Sequence, residues 1–388
     1  MSNGDSSHLN YLFDFVNDCI ESVPYYRNKA MEVGIDRVRT LDDFRKLPLL
    51  SKEDISLNSE AFQHPRTSKS YLVSTGGSTG KQFTFKMSNQ AYGKEWAYFS
   101  FFLEKRGINI DSKRLCLRGV SGINPNSLVG YNNLYKEMLV SPFRLNDFEL
   151  KRNFSKIKRY NATWIHGYPS SVALLAKHLC NCNLTLESVK DIVLVSEKLY
   201  PEQVKMIRKA FNCNIYTFYG MSERVVFASE ENDTFFPEPN YGFTEEVDGE
   251  LIGTGFLNDS TVMIRYRTGD EVEVIRDSND VVVEIPNIAG RWGKDMLVGF
   301  NGEQISMTAL NIHSSALDNV MKYQFVQYEK GKVELKLVPS SSFNLDEIDN
   351  IVNVFQSKAG EVIKIDATLV DNIPLSKRGK HLFVLSYL

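Results

Sequence analysis

The chain has 388 residues, of which 43% are hydrophobic and 24% are charged, a composition typical of a soluble globular protein. Its 45 lysine and arginine residues nearly balance 48 aspartate and glutamate residues, so a net charge of −3 excludes a global attraction to nucleic acid or to an anionic membrane. No stretch reaches the roughly 20 apolar residues of a membrane span. The polar N-terminus has no targeting signal, so we expect a cytoplasmic protein.

The N-terminal part of the chain is predicted to be helical. Apolar residues at helical spacing between Leu9 and Val33 indicate a helix that Pro24 interrupts. The segments that begin at Leu41 and Ser51 combine a capping residue with acidic residues in the first turn, which predicts two short helices.

From residue 70 onward, strand-like runs alternate with helix-like runs, which is typical of a parallel α/β sheet. The predicted strands cover residues 71–73, 164–166, 191–195 and 214–218, and the predicted helices cover 169–180 and 201–211. Beyond Gly249, short β runs separated by turns predict an antiparallel appendage with strands at 250–252, 262–266, 272–275 and 281–283.

The last part of the chain is predicted to form a smaller α+β domain. Its strands are expected near residues 323–328, 332–338 and 363–369, and its helix over 345–356. Glycines flank Arg291, which makes that residue the predicted boundary. We therefore expect a large α/β domain over residues 1–290 and a small one over 291–388.

One loop has a composition that suits phosphate. Its backbone N–H groups, hydroxyls and lysine could all face an anion, although a flexible surface turn is an equally good interpretation of the loop alone. The spacing does not match a Walker loop, which disfavours a P-loop kinase. The loop consists of Ser74, Thr75, Gly76, Gly77, Ser78, Thr79, Gly80 and Lys81.

Two carboxylates follow predicted strands. Glu223 ends the sequence Tyr219-Gly220-Met221-Ser222-Glu223, at the strand end where open α/β sheets place ligands, and its hard oxygen suits Mg²⁺. Asp270 ends the sequence Tyr266-Arg267-Thr268-Gly269-Asp270, where a carboxylate could accept two sugar hydroxyls. Taken singly, a solvated loop residue and an ordinary hairpin are the simpler interpretations.

Two further segments are ambiguous when taken alone. The turn from Pro374 to Lys380 carries three cations, a cluster that is usually solvated surface. His166 lies beside Gly167 and Tyr168 in a strand-to-helix turn, where a structural histidine and a pocket histidine are equally plausible.

In this order the segments resemble the core motifs of the AMP-forming adenylating superfamily, which includes acyl-CoA synthetases, luciferases and peptide-synthetase adenylation domains. The superfamily has a Ser/Thr/Gly-rich loop with lysine, Tyr-Gly-x-Ser/Thr-Glu, Tyr-Arg-Thr-Gly-Asp, Gly-Arg at a hinge and Pro-x-x-x-x-Gly-Lys near the C-terminus. All five are found here. The sequence is most similar to the phenylacetate-CoA ligase-like group and its capsular polysaccharide biosynthesis branch.

The resemblance implies roles for individual residues. Ser74 to Lys81 would hold the ATP phosphates, Glu223 would help to place Mg²⁺, and Lys380 would bridge the carboxylate and the α-phosphate during adenylation. The nucleotide would also contact Ser196, Glu197, Tyr219, Gly220, Asp270 and Arg291. His166, Gly167 and Tyr168 would line the acid pocket, and residues 291–388 would form a mobile lid that alternates between two poses.

The resemblance also implies a reaction. ATP and Mg²⁺ would activate a small-molecule carboxylic acid as an acyl-adenylate, and a thiol such as CoA or an amine would accept the acyl group. One alternative is an amide ligase that joins an acid or amino acid to an amino group of a sugar nucleotide or surface polysaccharide. Another is an ATP-binding scaffold that has lost turnover. The sequence determines neither the acid nor the oligomeric state.

Overall fold

The computed structural model describes most of the chain. The described residues are 5–67, 69–75, 83–118, 124, 126–142, 144–197, 199, 201–288, 296–306, 310, 315–317, 319–340, 342–374 and 384–388. No helix among them is both long and apolar enough to cross a membrane.

Helices and strands are numbered here in chain order. The helices are α1 Asp5–Ser22, α2 Pro24–Glu32, α3 Leu41–Lys46, α4 Lys52–Leu57, α5 Asn89–Glu104, α6 Asp147–Tyr160, α7 Pro169–Asn181, α8 Pro201–Ala210 and α9 Glu347–Ala359. The first strands are β1 Ser70–Thr75, β2 Phe83–Ser88, β3 Arg114–Leu117, β4 Val129–Asn132, β5 Glu137–Val140, β6 Trp164–Gly167, β7 Asp191–Leu194, β8 Asn214–Gly220, β9 Phe227–Glu231 and β10 Thr234–Pro237. The remaining strands are β11 Gly242–Val247, β12 Glu250–Gly255, β13 Tyr266–Arg276, β14 Val282–Ile288, β15 Met296–Val298, β16 Gln304–Ser306, β17 Val320–Glu329, β18 Lys332–Pro339, β19 Lys364–Leu369 and β20 Val384–Ser386.

Local sequence accounts for the N-terminal helices. Pro24 occupies the first turn of α2, where its missing N–H costs nothing, so the predicted interruption is confirmed. Thr40 caps α3 by accepting a hydrogen bond from the backbone N–H of Asp43. Ser51 and Asp54 form a reciprocal capping box at the start of α4, which confirms the second short helix.

The described residues divide into two compact units. The first unit contains residues up to 75, 83–106 and 218–288, and the second contains 107–217 and the residues from 296 onward. The predicted division at Arg291 stays a prediction, because residues 289–295 lie outside the described part of the chain.

The first unit is built on antiparallel strands. Strands β11, β12, β13, β14, β10, β9 and the last residues of β8 lie side by side in that order, and β1 and β2 form a separate antiparallel pair. Its core is rich in aromatic rings that pack on one another. The Phe218 ring centroid, for example, lies 4.8 Å from that of Phe227 and 5.1 Å from that of Phe102. This packing uses part of the chain's 12% aromatic content.

The second unit contains the parallel sheet that the alternating pattern predicts. Its strand order is β8, β7, β6, β3, β5, β4, and all neighbours are parallel except β4, which is antiparallel to β5. Strands β3 and β6 are buried along their whole length, as expected for strands that are covered on both faces. Apolar side chains of α6, α7 and α8 pack against these strands.

The C-terminal part of the second unit is the predicted α+β structure. Strands β19, β18, β17 and β20 form a four-stranded sheet, β15 pairs with β16, and α9 packs on the sheet through buried apolar residues. The predicted strands and the predicted helix near residues 345–356 are therefore confirmed.

Three strand predictions need correction. Residues 71–73 do form a strand, but it pairs with β2 in a hairpin and lies outside the parallel sheet. Residues 262–265 are not a strand, because their backbone groups bond to several different segments: the Val262 N–H donates to the Phe62 carbonyl, and the Met263 carbonyl accepts from the Gly255 N–H. Asp270 lies within β13 and not at a turn, because β13 continues past Gly269.

A buried ion pair in the second unit gives a stability prediction. Arg114 is fully buried, and its Nε and Nη2 lie 2.9 and 2.8 Å from Glu137 Oε1. Glu137→Gln would leave this guanidinium charge without its partner, which is expected to lower the free energy of unfolding by about 3 kcal/mol. Urea denaturation would measure the loss.

The matched control is Glu329→Gln. Glu329 also pairs with a cation, Lys332 at 2.8 Å, but both side chains are exposed, so its loss is expected to cost less than about 1 kcal/mol. Equal costs for the two substitutions would show that the buried pair has no special structural importance.

Candidate functional site

Two sequence motifs that are distant in the chain are joined by reciprocal hydrogen bonds in the first unit. The Tyr219 hydroxyl donates to Asp270 Oδ2 at 2.6 Å, and the Tyr266 hydroxyl donates to Glu223 Oε1 at 2.9 Å. The first residue of each motif thus holds the last residue of the other. The structure brings the predicted residues Tyr219, Glu223 and Asp270 together.

Glu223 is a buried carboxylate with only 5% of its surface exposed. Its Oε1 accepts the Tyr266 bond and lies 3.6 Å from Lys52 Nζ. Both of these contacts are made by Oε1. The carboxylate is therefore oriented through one of its two oxygens.

Lys52 is positioned by a short stretch of pairing with the start of β13. The Leu50 N–H donates to the Arg265 carbonyl, and the Arg267 N–H donates to the Leu50 carbonyl, each at 2.9 Å. Lys52 follows as the first residue of α4, with its Nζ 5.7 Å from the centre of the Phe83 ring. This backbone contact places a cation beside Glu223.

Asp270 is set by an irregularity between β12 and β13. The register shifts between Glu250 and Ile252, and Gly269 has a φ of +79°, a left-handed conformation that suits glycine. The Thr268 hydroxyl donates to the Leu251 carbonyl and accepts from the Asp270 N–H. The bulge turns Asp270, which is 6% exposed, toward Tyr219.

Only part of the predicted phosphate loop is described. Ser74 lies near the end of β1, its hydroxyl 3.1 Å from that of Thr84 on β2, and Thr75 ends the strand. Gly76, Gly77, Ser78, Thr79, Gly80, Lys81, Arg291 and Lys380 lie outside the described residues. Gly220 ends β8, two residues after Phe218.

The carboxylates suit a Mg²⁺ ion that is also bound by substrate phosphates. They do not suit a metal site whose ligands are all protein side chains. The described residues contain no group of three or more histidine, cysteine or acidic side chains that could hold a metal. Mg²⁺ commonly uses one or two carboxylates together with substrate phosphates and water, and Glu223 offers one oriented oxygen of that kind.

The second predicted group of residues lies in the second unit, at the carboxyl ends of β3 and β6. The chain leaves β3 toward β5 on one side and returns to β6 on the other, so these neighbouring strands form a switch point of the sheet. Ligands of open α/β sheets bind at such points. His166, Gly167 and Tyr168 are at the end of β6, and Arg118 directly follows β3.

Close packing explains Gly167. A Cβ atom at this position would lie 2.7 Å from Val172 Cγ2 and 3.0 Å from Leu117 Cβ. The Tyr168 N–H donates to the Leu117 carbonyl, and the Val195 N–H donates to the Gly167 carbonyl. Only glycine lets the three strand ends approach in this way.

Tyr168 and Ser196 border the same edge of the sheet. Burial raises the pKa of Tyr168 to about 12, although the nearby Arg118 opposes the shift. Tyr168 also packs against the apolar cluster of the C-terminal part of the unit. Ser196 has a φ of +68°, a strained conformation for serine that is often found at functional sites, and Glu197 follows it.

His166 is buried beneath this edge and stacks on Trp164, with ring centroids 5.7 Å apart. Burial, reinforced by the charges of Arg118 and Arg114, holds the pKa of His166 well below 6.5. The imidazole is therefore neutral in the folded protein at neutral pH.

This burial predicts acid sensitivity. Below about pH 6.5 the unfolded chain protonates His166 and the folded chain does not, so the free energy of unfolding should fall by up to about 1.4 kcal/mol per pH unit. His166→Gln is expected to remove the contribution of His166 to the pH dependence of the free energy of unfolding. Urea denaturation of both proteins between about pH 7 and pH 5 measures it, and identical slopes would contradict the prediction.

Sequence reasoning did not select three residues that the structure places at these sites. Lys52 and Tyr266 contact Glu223, and Arg118 follows the buried strand β3. Tyr266 could have been found, since it begins the motif that Asp270 ends. Lys52 could not, because its position depends on pairing between segments more than 200 residues apart.

Comparison with known proteins gives matches along the whole chain. Residues 297–387 match the family model described as the CapK C-terminal domain. Protein CapK of Staphylococcus aureus is 24% identical over 97% of this chain and 90% of its own length.

Solved structures give the fold. A 2-hydroxyisobutyryl-CoA ligase in complex with 2-HIB-AMP and CoA, in the thioesterification state, superposes with a TM-score of 0.64 over 99% of this chain and 90% of its own, at 18% identity. The same ligase in the postadenylation state with 2-HIB-AMP gives 0.58, over 98% of this chain and 89% of its own, at 18% identity. The chain has the adenylating-enzyme fold. The resemblance that the five ordered motifs predicted is confirmed, and so is the α/β class.

Of the two described groups of residues, the first comes from two of the five motifs that define the resemblance, and the second lies outside those motifs. The first unit holds the carboxylates Glu223 and Asp270, and the second holds the strand-end group at His166 to Tyr168.

Proposed function

We propose that this protein is an ATP-dependent, AMP-forming carboxylate ligase. It activates a carboxylic acid as an acyl-adenylate and transfers the acyl group to a thiol or an amine. The observation that carries the proposal is the reciprocal pairing of Tyr219 with Asp270 and of Tyr266 with Glu223. This pairing holds two buried carboxylates in fixed orientations, which a solvated surface loop would not need.

The two carboxylates have different tasks in this proposal. Asp270, fixed by Tyr219, accepts hydrogen bonds from the ribose hydroxyls. Glu223 offers an oxygen to Mg²⁺ while Tyr266 and Lys52 hold the other oxygen. When it is bound, Mg²⁺ neutralises phosphate charge as pyrophosphate leaves. Gly220, Ser196 and Glu197 line the nucleotide.

Attack of one anion on another needs positive charge. In the proposal the phosphate loop from Ser74 to Lys81 holds the triphosphate with its N–H groups, hydroxyls and lysine. Lys380 bridges the acid and the α-phosphate, and Arg291 contacts the nucleotide. Residues 291–388 act as the lid, which excludes water from the reactive anhydride. The match of residues 297–387 to a C-terminal domain model supports this division.

The acid is proposed to bind with His166, Gly167 and Tyr168 in its pocket. His166, beneath the strand ends, is neutral and therefore does not form an ion pair with the acid's carboxylate. In the proposal this carboxylate instead contacts Lys380. Arg118 supplies a positive charge at the same edge of the sheet, which favours an anionic substrate.

Product analysis tests this function. The protein is incubated with ATP, Mg²⁺ and a panel of carboxylic acids, first alone and then with CoA or with an amino sugar. The proposal predicts AMP and pyrophosphate in every productive reaction, and ADP with inorganic phosphate would overturn it.

Mass spectrometry of the same mixtures identifies the acceptor. A product that forms only with CoA is a thioester and makes the protein an acid–thiol ligase. A product that forms with the amine in the absence of CoA makes it an amide ligase. Binding of ATP without any release of pyrophosphate would instead identify an inactive scaffold.

A further inference from the structure

Lys52 lies beside two of the predicted functional segments in the first unit. Its Nζ is 3.6 Å from Glu223 Oε1 and 5.7 Å from the centre of the Phe83 ring. Phe83 pairs with Thr75 at the end of the β1–β2 hairpin, and residues 76–82, most of the predicted phosphate loop, connect these two positions. A cation thus lies between the carboxylate that we assign to Mg²⁺ and the strand that follows the phosphate loop.

The side chains around Lys52 pack as one cluster. The Phe83 ring stacks on the Tyr266 ring with centroids 6.4 Å apart, and both rings are buried. The Tyr266 hydroxyl donates to Glu223 Oε1, the same oxygen that Lys52 approaches. All four residues belong to the first unit. The position of the ammonium group is therefore set by well-packed neighbours within that unit.

The needs of helix α4 do not explain a lysine at this position. Lys52 is the first residue of α4, where the positive end of the helix dipole disfavours a cation and favours acidic residues such as Glu53 and Asp54. Its side chain is only 15% exposed, so much of the ammonium's hydration is lost as well. A cation in a place that is unfavourable for the helix indicates that its charge serves the site.

The distance to Glu223 brings Lys52 within reach of a phosphate. Mg²⁺ holds its oxygen ligands at about 2.1 Å, so two oxygens on one ion lie about 3 to 4 Å apart. Phosphate oxygens that share an ion with Glu223 are therefore close to this carboxylate, as Lys52 Nζ is at 3.6 Å. An ammonium group has three donors, so it can contact a carboxylate and a phosphate at the same time.

We propose that Lys52 is a phosphate-binding residue whose ammonium contacts the β- or γ-phosphate of ATP. The α-phosphate is assigned to Lys380, whereas the ion at Glu223 is assigned to the pyrophosphate part. The acid's oxygen attacks the α-phosphorus, the bond from that phosphorus to the bridging oxygen breaks, and pyrophosphate keeps the electron pair. Lys52 stays protonated and stabilises that charge. This role in the reaction rests on the proposed function.

Binding of ATP and AMP tests the inference without turnover. Each nucleotide is titrated calorimetrically into the full chain in EDTA, with no acid present, and the series is repeated with Mg²⁺. AMP lacks the β- and γ-phosphates. In EDTA, ATP is expected to bind more tightly than AMP to the unaltered protein. Lys52→Met should weaken ATP binding by about tenfold or more and leave AMP binding unchanged, since a hydrogen bond to a charged group has about this value.

Two further variants complete the comparison. Lys52→Arg keeps a cation that can bind phosphate, so it should keep most of the preference for ATP. Lys46→Met removes an equal charge from an exposed pair with Asp43, at 3.2 Å, and should leave both affinities unchanged.

A purely structural role gives a different pattern. If Lys52 only oriented Glu223, Lys52→Met would weaken ATP binding in Mg²⁺ but not in EDTA, and this result would overturn the inference. It would also be overturned if ATP bound no more tightly than AMP to the unaltered protein in EDTA, or if Lys52→Met and Lys52→Arg weakened both nucleotides equally.

The inference and the proposed function can fail separately. Selective loss of ATP binding in Lys52→Met, in a protein that never releases pyrophosphate with any acid, would support the phosphate contact and overturn the ligase function. Acid-dependent release of pyrophosphate, together with unchanged ATP binding in Lys52→Met, would do the reverse.

Discussion

Lys380→Ala is expected to lower the rate of acyl-adenylate formation by at least about 1,000-fold, because in the proposed mechanism this lysine contacts the carboxylate and the α-phosphate as negative charge rearranges. Removal of such a contact affects the transition state more than the bound substrates, so the loss should fall on kcat. Single-turnover measurement of adenylate and pyrophosphate gives the rate.

The same turn provides a matched control. Lys377→Ala removes an equal charge three residues away, and the proposed mechanism gives that lysine no contact with the substrates, so activity should be unchanged. Transfer of the acyl group from a chemically prepared adenylate should also be spared in Lys380→Ala, since the proposed mechanism uses this lysine only in the first half-reaction. Equal loss in both lysine variants would contradict the assignment.

Glu223→Gln is expected to lower adenylation by about 100-fold or more and to raise the Mg²⁺ concentration that is needed for half-maximal rate. Glutamine keeps the shape of the side chain and an oxygen that can accept the Tyr266 hydrogen bond, so the loss would reflect charge and not folding. Initial rates over a Mg²⁺ series measure both effects.

Glu273→Gln is the control for this experiment. Glu273 lies on β13, the strand that carries Tyr266, but its side chain is exposed. Its replacement should leave the rate and the Mg²⁺ dependence unchanged. An unchanged Mg²⁺ dependence in Glu223→Gln would remove the carboxylate from the metal site.

Local sequence was sufficient for the helix starts and for the parallel strands. A proline in the first turn of α2, the capping box of Ser51 and Asp54, and the short, largely buried strands β6 and β7 are short-range signals, and each predicted its element. The same holds for β17 to β19 and the intervening helix α9.

Features that depend on hydrogen bonds between segments distant in the sequence could not be predicted from local sequence patterns. The apolar residues at 262–264 have strand-like composition, but they bond to distant segments, as the Ile264 N–H does to the Tyr26 hydroxyl. The Thr268 to Asp270 irregularity depends on the register of β13 against β12, which no local pattern reports. That irregularity is what turns Asp270 toward Tyr219.

The motifs singled out two carboxylates, Glu223 and Asp270, but they did not predict which residues hold these side chains in place. The order of the Tyr219 and Tyr266 motifs indicated the fold, but their reciprocal hydrogen bonds and the position of Lys52 are properties of tertiary structure.

Exchange of labelled pyrophosphate into ATP is the most direct test of the central claim. The reversible first half-reaction of an adenylating ligase exchanges pyrophosphate only in the presence of its acid and Mg²⁺, whatever the acceptor. We predict acid-dependent exchange with at least one carboxylic acid, and its loss in Lys380→Ala. Absence of exchange with every acid, in a folded protein that binds ATP, would contradict the proposed function.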